Sequence, residues 1–288
     1  MRKKIERVYS DEARTGIFEE DNPFLEMISD DLLETSVAVA NRWKEEFVVS
    51  ENQKTNDLVF IQFSKEGVDH FAFLRIALRE TLTHLGGEVD NPIKLTQNNL
   101  PGFGTGADEA LVINLQSRKY HLIEKRIKYN GTFLNYFSEN LLQAQPKISP
   151  KKSIKALEKT AQKIAESFNT DDFQFQSKVK STIFNHIEEE NKLSPEKLAD
   201  DLFDDNLTAR LSFIDQVKEA VPEPVTFEEI DASRQLKKFE NQKLSLSNGI
   251  ELIVPNNVYE DAESVEFILN ENGTYSILIK NIEDIQSK

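Results

Sequence analysis

NDLVFIQFSKEGVDHFAFLRIAL, residues 56–78, decides the fold. Apolar, β-branched and aromatic residues fill NDLVFIQF (56–63) and VDHFAFLRIAL (68–78), and a glycine-bearing turn at Ser64–Gly67 separates them, which predicts a β-hairpin. Downstream, EALVINL (109–115) and KYHLIEKRI (119–127) flank Gln116–Arg118 and predict a second hairpin. The intervening 85–108, rich in Gly, Asn, Pro and Gln, reads as loop. Upstream, NPFLEMISDDLLETSVAVANRWKEEF (22–47) reads as one helix, with Asn22 as cap and Pro23 in the first turn.

The middle of the chain is helical. Thr132 caps a helix over 131–143, Ser149 and Pro150 open one over 149–168, and Thr170 precedes one over 171–190. Ser194-Pro195 starts another over 194–203, and 206–220 ends before Pro222. KLSLSNGIELIVP (243–255) and VEFILNENGTYSILIKNI (265–282) each hold Asn-Gly, which favours a type I′ hairpin turn. The predicted class is α+β: an antiparallel sheet with an N-terminal helix, a central helical region and C-terminal β-hairpins. The expected division is a helix plus β-meander over 1–148 and a helical region closing with hairpins over 149–288.

The chain has 288 residues and formal charge −15. No stretch approaches the ~20 apolar residues of a membrane span, and no apolar run follows the basic start MRKKIERVYS. Cysteine is absent, which excludes disulfides and thiolate-held metals and suits a reducing cytoplasm. An acidic whole argues against gripping a polyanion everywhere, so nucleic-acid contact requires a local patch.

Such a patch is visible. SRKYHLIEKRIKYNG (117–131) sets Arg118, Lys119, Lys125, Arg126 and Lys128 against one acid, Glu124. With Ile123 and Ile127 on one strand face, Glu124, Arg126 and Lys128 are expected on the other. In the helix that follows, Ile154, Leu157, Ala161, Ile164 and Phe168 make a core stripe, with Lys152, Lys155, Lys159 and Lys163 opposite. A solvated face and a phosphate track both fit that row; lysines act as flexible point charges that read no base. RQLKKFENQK (234–243) is a weaker basic cluster.

Other motifs point to ordinary structure. PGFGTGADEA (101–110) lacks the lysine of a phosphate loop and leads into a strand, so it reads as a connector. His70, His84, His121 and His186 have no metal-ligand spacing. The aspartates of ADDLFDDN (199–206) are interrupted by Leu202 and Phe203 and read as a solvated helix end. Phe71, Phe73, Tyr120, Tyr129, Phe133, Tyr136 and Phe137 could stack bases, but aromatics so spaced read first as core. No nucleophile elbow is present, and neither cofactor nor metal is expected.

DEARTGIFEEDNPF (11–24), HLIEKRIKYNGTFLNYFSENLL (121–142), SRQLKKFENQKLSLSNGIELIVP (233–255) and VEFILNENGTYSILIKNI (265–282) together resemble the bacterial 37-kDa nucleoid-associated protein family of the NdpA/YejK type. The resemblance implies a cytoplasmic, nucleoid-located, DNA-associated protein without an assigned reaction, with other nucleoid or DNA-processing proteins as further partners. It also implies a longer segment ahead of DEAR than the ten residues present; a sheet short of one strand would leave an open edge. The expected DNA contacts are Arg118, Lys119, Lys125, Arg126 and Lys128 with Lys152, Lys155, Lys159 and Lys163. An acidic scaffold recruited by a DNA-processing partner is the alternative, and a metal-dependent nuclease the third class.

Overall fold

The structure, a computed structural model, describes residues 1–286 apart from 51–54, 85–92, 103, 170–171 and 228. Two units, Met1–Lys152 and Ser153–Lys288, are described in turn. In the first, helix α1 (Arg2–Glu6) and a 3-10 turn (Arg7–Tyr9) precede strand β1 (Arg14–Ile17), then α2 (Pro23–Glu26) and α3 (Leu32–Val48). Strands β2 (Asn56–Lys65), β3 (Val68–Ala77), β4 (Arg79–His84), β5 (Ile93–Asn99), β6 (Glu109–Asn114), β7 (Lys119–Ile123), β8 (Ile127–Tyr129) and β9 (Thr132–Leu134) follow, before a π-helical turn (Phe137–Leu141).

Both expected hairpins enter one antiparallel sheet, ordered β1-β7-β6-β3-β2. β2 and β3 turn through Glu66 and Gly67, whose φ angles of 54° and 78° match the right-handed twist of the strands. Central β3 reads as a nearly continuous apolar run because both faces are covered. Phe71 and Phe73 join Trp43, Phe47, Tyr136 and Phe137 on one side; Ala72, Leu74 and Ile76 join Val8 on the other. At the β1–β7 seam Gly16 lies against the Tyr120 ring, where a Cβ would sit 2.3 Å from the phenol oxygen.

Four expectations are corrected here. The helix over 22–47 is two helices: Asn22 caps α2 through the Phe24 N–H (2.9 Å), and Asp31 caps α3 through Leu33 N–H (2.8 Å). Of the expected loop over 85–108, residues 85–92 and 103 lie outside the described residues, and β5 occupies 93–99, paired with β4 and held by a threonine ladder at Thr81, Thr83 and Thr96. The helix over 131–143 is instead the β8–β9 hairpin, turning at Asn130 and Gly131 (φ 49° and 82°), and then the π-helical turn. The strand over 119–127 stops at Ile123, because Glu124 turns inward.

In the second unit α4 (Pro150–Ser167), whose first turn precedes the division, and α5 (Phe173–Glu190) are followed by β10 (Lys192–Leu193), α6 (Pro195–Leu202), α7 (Leu207–Lys218) and β11 (Val225–Thr226). Asp172, Ser194 and Asn206 cap α5, α6 and α7, while Thr170 lies outside the described residues. Leu157, Ala161, Ile164, Ile183, Ile187, Leu198 and Phe213 meet in its core. α8 (Glu229–Phe239), β12 (Asn241–Ser245), β13 (Glu251–Pro255), α9 (Asn256–Tyr259), β14 (Val265–Leu269) and β15 (Tyr275–Ile279) complete it. The hairpins β12–β13 and β14–β15 form as expected, but only Gly249 and Gly273 take positive φ there (86° and 79°), so the turns are not type I′. Buried Gln242 ties β12 to α5 and α9 by donating to Ser177 O (3.2 Å), Ser181 Oγ (3.2 Å) and Asn256 Oδ1 (2.8 Å).

Candidate nucleic-acid interface

The lysine row follows from the amphipathic pattern of α4. Ile154, Leu157, Ala161 and Ile164 are buried, and Lys152, Lys155, Lys159 and Lys163 are exposed on the opposite side. Steps of three, four and four residues keep those lysines on one helix face. At 1.5 Å per residue, Lys152 to Lys163 spans about 16 Å. Lys163 Nζ donates to Gln216 Oε1 (2.9 Å), a neutral partner that leaves its charge uncompensated. Lys155 and Lys159 form no ion pair among the described residues.

Glu158 interrupts this row. Burial raises its carboxyl above the ordinary value, against the opposing pull of Lys180 and Lys155. A carboxyl with a raised folded pKa disfavours folding above that pKa and is neutral toward it below the unfolded value. Glu158→Gln is therefore expected to raise the thermal midpoint at pH 7 and to leave it unchanged near pH 4. Thermal melts at the two pH values check this; an equal shift at both would contradict it.

The strand cluster is arranged differently from expectation. Arg118 sits in the β6–β7 turn at φ 59° and pairs with Glu20 (3.1 Å). Lys125 pairs with Asp108 (3.1 Å), and Arg126 donates to Phe133 O (2.6 Å). Lys119 and Lys128 are exposed, on β7 and β8 respectively. Glu124 does not share a solvent face with Arg126 and Lys128. Its side chain is 2% exposed, paired with Arg14, and it accepts the Ser138 N–H (3.0 Å) and O–H (2.8 Å). Burial raises the Glu124 carboxyl, and these partners oppose that rise. Arg14 also donates to Pro146 O (2.8 Å), so the arginine of DEAR clamps the fold.

The remaining sequence candidates are structural. Phe71, Phe73, Tyr120, Tyr136 and Phe137 are core; Tyr129 donates to Glu46 (3.0 Å), and Phe133 is 58% exposed. His70 contacts Val68 O (2.9 Å), and His186 contacts Asp201 (2.6 Å). Arg234, Lys237 and Lys238 of the weaker cluster are exposed on α8. Among the described residues no helix is long and apolar enough to cross a membrane.

No curated protein matches the chain. A family model described as nucleoid-associated protein YejK matches residues 1–285. The acidic α+β chain with its exposed lysine row thus belongs to the YejK family of nucleoid-associated proteins.

Proposed function

We propose that the chain associates with duplex DNA mainly through contacts to backbone phosphates, without catalysis, and that Lys155, Lys159 and Lys163 of α4 lead those contacts. The single observation that carries this reading is an exposed row of lysines with little local carboxylate compensation in a chain of net charge −15. Flexible ammonium groups on a helix exterior suit phosphate oxygens and read no base, so low sequence selectivity follows. Arg118 and Lys125, already paired with Glu20 and Asp108, contribute less. The expected place of action is the nucleoid, within the cytoplasm.

Fluorescence anisotropy of a labelled duplex across a salt series tests the reading. Log affinity is expected to fall linearly with log salt, by about 0.9 for each phosphate contacted. A flat response would reject charge-led binding.

The alternative is an acidic scaffold that reaches DNA through a basic partner protein. A groove in the first unit supports it: Leu25, Ile28 and Leu115 supply apolar surface, with Asp30, Asp69 and Arg118 alongside. Protein that ignores duplex at low salt yet binds a basic nucleoid protein would favour this reading.

A further inference from the structure

The five-stranded sheet ends on β2, an edge of ten residues, against four in β1 at the other edge. The Leu78 N–H donates to Thr55 O (2.9 Å), one step beyond the Asn56–Ala77 pair. Backbone bonding alternates along an antiparallel ladder, so Asp57, Val59, Ile61, Phe63 and Lys65 turn their peptide groups toward β3. Leu58, Phe60, Gln62 and Ser64 turn theirs outward, and among the described residues no backbone group meets them.

An open edge is normally blunted by a bulge, a proline or a charge. Residues 58–64, LVFIQFS, contain no proline or charge, and the β2–β3 register is unbroken. Both faces of β2 are apolar yet only half-buried. Leu58 and Phe60 pack on the Trp43 side of the sheet, and Val59, Ile61 and Phe63 on the Val8 side. The opposing β3 residues Phe71, Ala72, Phe73 and Leu74 are fully buried. An apolar edge of this length invites uncontrolled pairing, and a closed twofold contact would use it up.

The charges at its ends select the occupant. Asp57 and Lys65 are exposed and form no ion pair among the described residues. Lys65 Nζ lies 4.8 Å from the centre of the Tyr9 ring, a contact that leaves its charge without a carboxylate. We propose that β2 pairs antiparallel with β2 of a second copy of this chain, about a twofold axis at Ile61. In that register Phe60 faces Gln62 of the second copy and Leu58 faces Ser64, so the outward peptide groups bond one another. Asp57 falls opposite Lys65 of the second copy, and the axis repeats that pair. Moving the axis one residue either way sets both charges against uncharged positions. This pairing does not depend on the duplex reading above.

Sedimentation equilibrium of the full chain is expected to give twice the 33.0 kDa chain mass. Gln62→Pro is expected to weaken association by about tenfold or more. Gln62 is exposed and its N–H points away from β3, so proline there spares the β2–β3 ladder, and circular dichroism verifies the fold. Single cysteines read the register, because the chain has none of its own. Ile61→Cys brings two Cα atoms to about 4.5 Å across the axis, within the roughly 4.4–6.8 Å of a disulfide. Val59→Cys leaves its two copies roughly 14 Å apart along the strands. Oxidation is therefore expected to link Ile61→Cys, and not Val59→Cys, into a covalent dimer. A monomer at every concentration, or a dimer that Gln62→Pro leaves intact, would overturn the pairing. Cross-linking at Val59→Cys rather than Ile61→Cys would overturn the axis at Ile61. The cysteine arm reads out even if the proline variant is unstable.

Discussion

Arg75→Met is expected to destabilise the protein by about 3–5 kcal/mol, because it leaves Glu109 as an uncompensated buried charge. These residues are register partners on β3 and β6, with side chains 2% and 0% exposed. Arg75 Nε donates to Glu109 Oε2 (2.6 Å), and Nη1 donates to Asn56 Oδ1 (2.8 Å). Tyr136 donates its O–H to the same Glu109 oxygen and accepts the Trp43 indole N–H (3.1 Å). The guanidinium also lies 5.3 Å from the Phe47 ring centre. Burial raises the Glu109 carboxyl, and Arg75 is the principal opposing influence.

Removing Arg75 raises that carboxyl further, so the deficit should be larger at pH 8 than at pH 5, where proton uptake relieves the charge. Thermal and urea melts check this, with a midpoint loss of roughly 10 °C. An Arg75→Met/Glu109→Met double variant should regain most of the loss, since the pair is then replaced by apolar bulk. A single-variant loss below about 1 kcal/mol would mean that the pair behaves as a solvated one.

Reversing Lys155, Lys159 and Lys163 to Glu is expected to weaken duplex binding by roughly two to three orders of magnitude near 0.1 M salt. The figure follows from three lost phosphate contacts, each worth about 0.9 in the salt slope, or about 2.7 in total. Core packing should survive, because these side chains are exposed opposite the stripe of Ile154, Leu157, Ala161 and Ile164. Arg118→Ala/Lys125→Ala is the comparison. Those cations already have Glu20 and Asp108, and their removal should change the slope by less than about 0.9. Anisotropy with both variants checks the contrast, and equal losses would refute the ranking of α4 above the strand cluster.

Local patterns with one dominant cause were legible in the sequence. Residues 56–78 form their hairpin because both faces of β3 are buried and the turn has its glycine. The α4 stripe was legible because 3.6-residue periodicity alone separates core from lysines. Asn130-Gly131 carried the same hairpin signal as the C-terminal turns, but Thr132 and the apolar residues after it imitate a capped helix. Aligned strand alternation hid the role of Glu124, whose partners Arg14 and Ser138 are distant in sequence. The ion pairs of the strand cluster were hidden for the same reason: a run of basic residues does not reveal that Arg118 pairs with Glu20 or Lys125 with Asp108.

Lysine footprinting tests the phosphate-track account most directly. The protein is acetylated with and without saturating duplex at low salt, and each site is read by peptide mass spectrometry. Lys155, Lys159 and Lys163 are expected to be protected by the duplex, while Lys125 changes little. If the three α4 lysines remain equally reactive with duplex bound, α4 is not the contact surface.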